Sequence, residues 1–295
     1  VILIFAPEVP LNSQTQILSL FPGSQLSRIH FIARNQLGGT QPGGTQPGGT
    51  QLLEFPPPLQ PWIAQIDSDS TEPCALELLS IPCREGLSAE HEQQLRAWVS
   101  KGQEQTPPPI TMTLQRTTVI AADGRMVIAG QEDRLSSLTR TLTEAFFYET
   151  QLREIERLVG ENWQQMEADL PSSFAASAET ITDRERLSAH YLLVMTLSSR
   201  LARLAPWVHA PYLHPPTLAS QLQERFRERL QMPHRHEMLD DQLEIFCDCY
   251  DAVAQRQSDY RLTQSSNQLE WIIIILLVIQ VLFSVFDILS TLQTS

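Results

Sequence analysis

Residue types able to do acid–base, metal or nucleophilic chemistry are present in this chain but poorly spaced for it. His234-Arg235-His236-Glu237 is the best metal or proton-transfer candidate. Zinc needs three or four ligands converging on one point. Residues i and i+2 at a helix start do not share a face, and no third ligand stands at useful spacing. These histidines therefore read as structural or solvent-exposed. His209 and His214 fall in a Pro-rich connection and read as surface residues. Asp240-Asp241 resembles a paired-carboxylate site but reads more simply as a solvated helix face. Ser172-Ser173 and Ser198-Ser199 lack the glycines of a nucleophile elbow. Cys74, Cys83, Cys247 and Cys249 read as reduced, partly buried thiols. Cys74 and Cys83 could be bridged; Cys247 and Cys249, two apart on a helix, point to different faces and cannot chelate together. No metal, cofactor or enzymatic chemistry is expected.

The bulk composition narrows the partners. The chain holds 34 acidic against 21 basic residues, a formal net charge of −13, and its only lysine is Lys101. Nucleic-acid binders carry a basic stripe, so direct binding to RNA or DNA is not expected. The chain opens on Val1 rather than Met, so its initiating residues are expected upstream. Val1–Ala6 is too short and lacks the basic flank of a signal peptide, and Val1–Phe5 reads as a strand.

The elements that would position any site fall into two sets. In the first, Ser13–Phe21 reads as a short helix and Ser27–Ala33 as a strand. Residues 38–51 carry a five-residue Gly-Gly-Thr-Gln-Pro unit repeated almost three times. This stretch buries no core, has no Lys-Ser/Thr to cradle phosphate, and reads as a flexible insertion. Cys74–Ile81 reads as a strand and Ala89–Ser100 as an amphipathic helix. Thr111–Ala129 reads as a hairpin turning at Asp123-Gly124.

From Asp133 onward the apolar spacing becomes helical. A first long helix carries Leu135, Leu138, Leu142, Ala145, Leu152, Val159, Trp163 and Met166, broken by Glu149 and Glu156. A second follows Asp183 and is expected to stop before Pro206. A short third follows Pro215-Pro216-Thr217. The fourth begins near His234 and runs without Gly or Pro to the chain end. The expected fold class is therefore α+β. A ferredoxin-like α/β head over 1–130, with its insertion at 37–52, precedes a coiled-coil-like helical bundle or stalk over 131–268.

The last segment is the most apolar. Trp271–Leu289 at about 1.5 Å per residue reaches roughly 28 Å, which predicts one transmembrane helix over 269–290. Gln280, Ser284 and Asp287 follow i, i+4, i+7 and share a face, read as an oligomer contact between membrane helices. Arg256 and Arg261 precede the run and nothing charged follows it. The expectation is a single-pass C-terminal anchor with the bulk on the cytoplasmic or organelle-interior side.

Gln268-Leu269-Glu270-Trp271 and the isoleucine-rich run to Phe283 resemble the family of domain-of-unknown-function membrane proteins named for a requirement in meiotic nuclear division. Leu269, Glu270 and Trp271 carry the motif. Phe226–Phe246, with Arg235 and Leu239-Asp240-Asp241-Gln242-Leu243, resembles that family's helix before its span. Arg125–Gly130, leading into Leu135–Glu156, resembles the entry into its first long helix. Gln280 stands where many relatives place a carboxylate. The resemblance implies a membrane protein that forms large homo-oligomers and has no catalytic activity; mitochondrial members support organellar translation. The resulting expectation is a non-enzymatic, homo-oligomeric, membrane-anchored scaffold that recruits a soluble protein partner. The alternatives are a pore ringed by Gln280 and Ser284, and an enzyme or ligand-binding head.

Overall fold

A strand buried on both faces shows no alternation of apolar and polar residues, and two segments of this chain have that character. Leu76–Pro82 and Arg125–Gly130 are almost wholly buried and lie side by side as a parallel pair at the centre of one sheet. The computed structural model describes residues 17–33, 51–54, 62–67, 74–100, 108–173, 184–210 and 215–293; in the last helix the side chains of 257, 260, 261, 263–266 and 283–293 are outside the description. Two expectations, the strand Val1–Phe5 and most of the 37–52 insertion, lie outside the described residues.

The strands are β1 (Gln25–Ala33), β2 (Gln51–Glu54), β3 (Trp62–Asp67), β4 (Leu76–Pro82), β5 (Ile110–Leu114), β6 (Thr117–Ala122) and β7 (Arg125–Gly130). They form one seven-stranded mixed sheet in the order β2-β3-β1-β4-β7-β6-β5. The ferredoxin-like expectation is thereby corrected: the head is α+β, but with β2 and β3 extending one side and β5 the other. The helices are α1 (Ala89–Ser100), α2 (Glu132–Asp169), α3 (Arg184–Val208), α4 (Leu218–Arg229) and α5 (Met232–Gln293).

Two compact units divide the chain. The first comprises residues 1–156 and 200–238, the second 157–199 and 239–295. In the first unit Leu95, Trp98 and Val99 of α1 pack with Leu79, Ile81, Ile120 and Val127 of the sheet. Phe31 meets Phe147 of α2 edge-on at 5.0 Å. At the centre, Arg125 is 2% exposed yet bears a charge. Its Nε donates to Glu77 Oε2 at 3.0 Å, its Nη1 to the Trp98 carbonyl at 3.0 Å, and its guanidinium lies over the Trp98 ring. The register explains the pairing, because Glu77 and Arg125 are direct partners across β4 and β7.

In the second unit, the end of α2, the first part of α3 and the body of α5 pack together. Trp163 meets Phe246 at 5.0 Å, and Tyr191 donates to Asp251 at 2.5 Å. Ser198 Oγ lies 3.6 Å from Cys247 Sγ; with Tyr191 against Asp251 and Ser198 against Cys247, α3 and α5 run antiparallel. Helix α3 continues through Pro206 rather than stopping before it. Pro206 lies in the last turn, where the bond it removes leaves the carbonyl of exposed Ala202 to water.

The transmembrane expectation is overturned. No helix, among the described residues, is long and apolar enough to cross a membrane. Gln280, Ser284 and Asp287 interrupt the apolar run Trp271–Leu289, and polar groups inside hydrocarbon are costly. The single-pass C-terminal anchor, and the sidedness drawn for it from Arg256 and Arg261, fall with it.

Candidate functional site

Glu149 and Glu156 break the apolar spacing of α2, and the first unit shows why. They stand seven apart on one helix face and both accept from Arg235, in the first turn of α5. Arg235 Nε and Nη2 fork onto the two Glu156 oxygens at 2.6 and 2.5 Å, while Nη1 reaches both Glu149 oxygens at 3.0 and 2.9 Å. Nη1 also lies 3.3 Å from the Leu230 carbonyl. Arg153 completes the cluster, donating to Glu149 at 2.8 Å and to Asp123, in the β6–β7 turn, at 2.6 Å. The planar guanidinium suits such two-oxygen pairing.

The Glu149 carboxylate is almost wholly buried. Burial pushes its pKa up, against the opposing pull of Arg235 and Arg153. Burial acts downward on Arg235, but the Glu156 and Glu149 carboxylates outweigh it and raise its pKa. The cluster forms one wall of a cavity of about 580 Å³, whose other walls include Ile110, Ala121, Phe146 and Phe226. Gln231, at its rim, holds the left-handed φ of 52° that joins α4 to α5.

A second cluster lies in the second unit. The Asp169 side chain is fully buried and accepts from Arg186 Nη1 at 2.6 Å, His190 Nδ1 at 2.7 Å and Tyr250 Oη at 2.8 Å. Burial would raise the Asp169 pKa, but those hydrogen bonds together hold it below the ordinary carboxylate range. The Tyr250 hydroxyl is raised by burial and by that carboxylate. The sign for stability follows. A carboxylate with a depressed native pKa contributes stability that is complete above its unfolded pKa of about 3.9 and is lost as pH falls through the native value. Asp169→Asn is expected to cost about 3 kcal/mol at neutral pH. Urea midpoints measured across pH should show the gap between variant and parent closing below about pH 4.

No family model, curated protein or solved structure matches this chain.

The other sequence candidates do not converge. His236 is buried, with Nε2 3.1 Å from the Leu201 carbonyl, and meets His209 edge-on at 5.1 Å. His234, Glu237, Asp240 and Asp241 are exposed. Among the described residues no group of three His, Cys, Asp or Glu could hold a metal. The four cysteines are free thiols; the Cys74 thiol is pushed up to about 11 by burial, which makes it a poor nucleophile at neutral pH. His214 lies outside the described residues, as do the side chains of Ser284 and Asp287. Gln280 is exposed, as are Leu269, Glu270 and Trp271. Asp169 carried no sequence signal, because a lone acid at a helix end looks like any solvated residue. Arg153 and Arg229 were equally inconspicuous.

The third feature is the far part of α5. Every side chain from Leu269 to Leu282 is exposed, and all but Glu270 and Gln280 are apolar. Ile272, Ile273, Ile274 and Ile275 each expose about half of their surface. Contiguous apolar exposure of this extent marks an interaction surface.

Proposed function

We propose that this chain is a non-enzymatic scaffold that assembles with copies of itself through the apolar part of α5. The observation that carries this reading is the run of exposed apolar side chains from Leu269 to Leu282 on one uninterrupted helix. Ile272, Ile275, Ile279 and Leu282 follow the three-four-three spacing of a coiled-coil seam. Burying four such side chains is worth about 6–12 kcal/mol per chain before the entropy of association is subtracted. The occupant is a second copy because the seam is self-complementary: like aliphatic knobs meet like holes in parallel helices. Isoleucine at both seam positions favours three or more strands over two. More strands also cover more of the apolar flanks at Trp271, Ile274 and Val278. Gln280 lies off the seam, where it can meet water. The resemblance of 226–246 and 268–283 to a homo-oligomeric family supports the same reading.

Sedimentation velocity of the full chain in lipid-free buffer tests it. A discrete oligomer of three or more is expected, falling to monomer in the double variant Ile272→Glu, Ile279→Glu. A monomeric parent overturns the proposal. So does a variant that keeps the oligomer.

A further inference from the structure

The cavity of the first unit has walls of two kinds, and their charges do not balance evenly in space. Ile110, Phe146 and Phe226 supply an apolar wall. On the charged wall each acid is already committed to an arginine: Asp123 and Glu149 to Arg153, Glu149 and Glu156 to Arg235. Arg229 also lines the cavity, is exposed, and makes no ion pair or hydrogen bond among the described residues. Its position in the last turn of α4 lets it offset the helix dipole, but that role leaves its donors open toward the cavity. The rim residue beside it, Gln231, holds a left-handed backbone that non-glycine residues adopt at a cost of about 1–3 kcal/mol, a strain that gathers at ligand sites. A volume of about 580 Å³ falls within the range of small-molecule pockets.

We infer that this cavity binds a small carboxylic acid with an apolar body, its carboxylate paired with Arg229 and its body against Phe146, Ile110 and Phe226. Three acids and three arginines line the cavity and balance overall, so what selects a single carboxylate is the one locally open guanidinium and not a net charge. Arg229 offers one open positive charge, while Asp123 and Glu156 remain partly exposed and repel a second negative charge, as a phosphate dianion would bring. A cation is disfavoured because the acids that would receive it already accept from Arg153 and Arg235. The apolar wall requires a body of several carbons, since a short polar acid would leave Phe146 and Phe226 wet. Arg235 and Arg153 do not touch the ligand; they hold the wall in place.

The probe is 4-fluorophenylacetate, followed by fluorine NMR on the full chain, beside its neutral analogue 4-fluorobenzyl alcohol. Saturable binding of the acid is expected, with the alcohol about tenfold weaker, as a charge-assisted hydrogen bond requires. Arg229→Gln is expected to weaken the acid about tenfold and to leave the alcohol unchanged. Arg229→Lys should keep most of the acid's affinity. Equal binding of acid and alcohol to the parent chain overturns the proposal without reference to any variant. Absence of saturable acid binding overturns it too, as does acid binding unchanged in Arg229→Gln. Uptake of the probe by the exposed part of α5 would be insensitive to Arg229 and would count among those overturning results.

Discussion

Replacing Arg235 with methionine lowers stability by about 3–5 kcal/mol at neutral pH, because the Glu149 carboxylate is then buried against Arg153 alone. The loss depends on pH in a defined direction. Burial already pushes the Glu149 pKa up, and removing a bidentate cation pushes it further. A carboxyl whose native pKa lies above its unfolded value of about 4.3 contributes stability that is full below that value and fades as pH rises through the native pKa. The variant is therefore less destabilised at pH 5 than at pH 8, a sign opposite to that of Asp169. Urea unfolding at both pH values measures it. A loss independent of pH would mean that Glu149 never carries the uncompensated charge. The double variant Arg235→Met, Glu149→Met should recover much of the stability, since an apolar pair has no desolvation to offset.

Replacing Arg125 with methionine is expected to cost a similar amount, about 3–5 kcal/mol, for a related reason in a drier place. Glu77 would lose its 3.0 Å partner and the Trp98 carbonyl would lose a donor. Arg28, whose Nε lies 3.7 Å from Glu77, leaves that carboxylate with one weaker cation. The loss should therefore sit toward the lower end of the range and grow toward the upper end in Arg28→Met, Arg125→Met. Thermal unfolding of both variants gives the comparison. If Arg125→Met costs under about 1 kcal/mol, the pair is no better than an exposed salt bridge and the centre of the sheet is held by packing alone.

These two arginines also show how far the sequence could be read. Arg125 opens a run of apolar residues, and Glu149 and Glu156 interrupt a helical spacing; each oddity was visible. Their partners were not, because Arg235 lies 86 residues from Glu149 and 79 from Glu156, and no local rule joins such distances. Helix α1 matched its amphipathic spacing, and the hairpin at Asp123-Gly124 matched its turn signal. Strand β5 was concealed by its turn. Gln115 and Arg116 hold φ of 48° and 64°, the two left-handed residues of a tight hairpin, in a dipeptide with neither Gly nor Asn. Strands β2 and β3 are short and flanked by the Gly-Thr-Gln-Pro repeat and Phe55-Pro56-Pro57-Pro58, whose composition masks strand character. The apolar content of 271–282 was legible, but the polar interruptions at Gln280, Ser284 and Asp287 were read as a helix contact and not counted against a span. The cavity was not legible, since its walls come from β5, β6, α2, α4 and α5.

The first unit is discontinuous: residues 200–238 belong to it, after an excursion of the chain into the second. A ribosome delivers the sheet and α2 first, and only much later α4, whose Arg225 donates to the Thr113 carbonyl on the edge strand at 3.2 Å, and then Arg235. During that interval the β5 edge is a bare template for pairing with any neighbouring strand, and Glu149 and Glu156 wait for their cation. A fragment ending at Glu156 keeps every strand of the sheet and yet is permanently in that unfinished state. The head therefore closes last at its edge, and its quality control is in effect the arrival of two arginines from the far end of the chain.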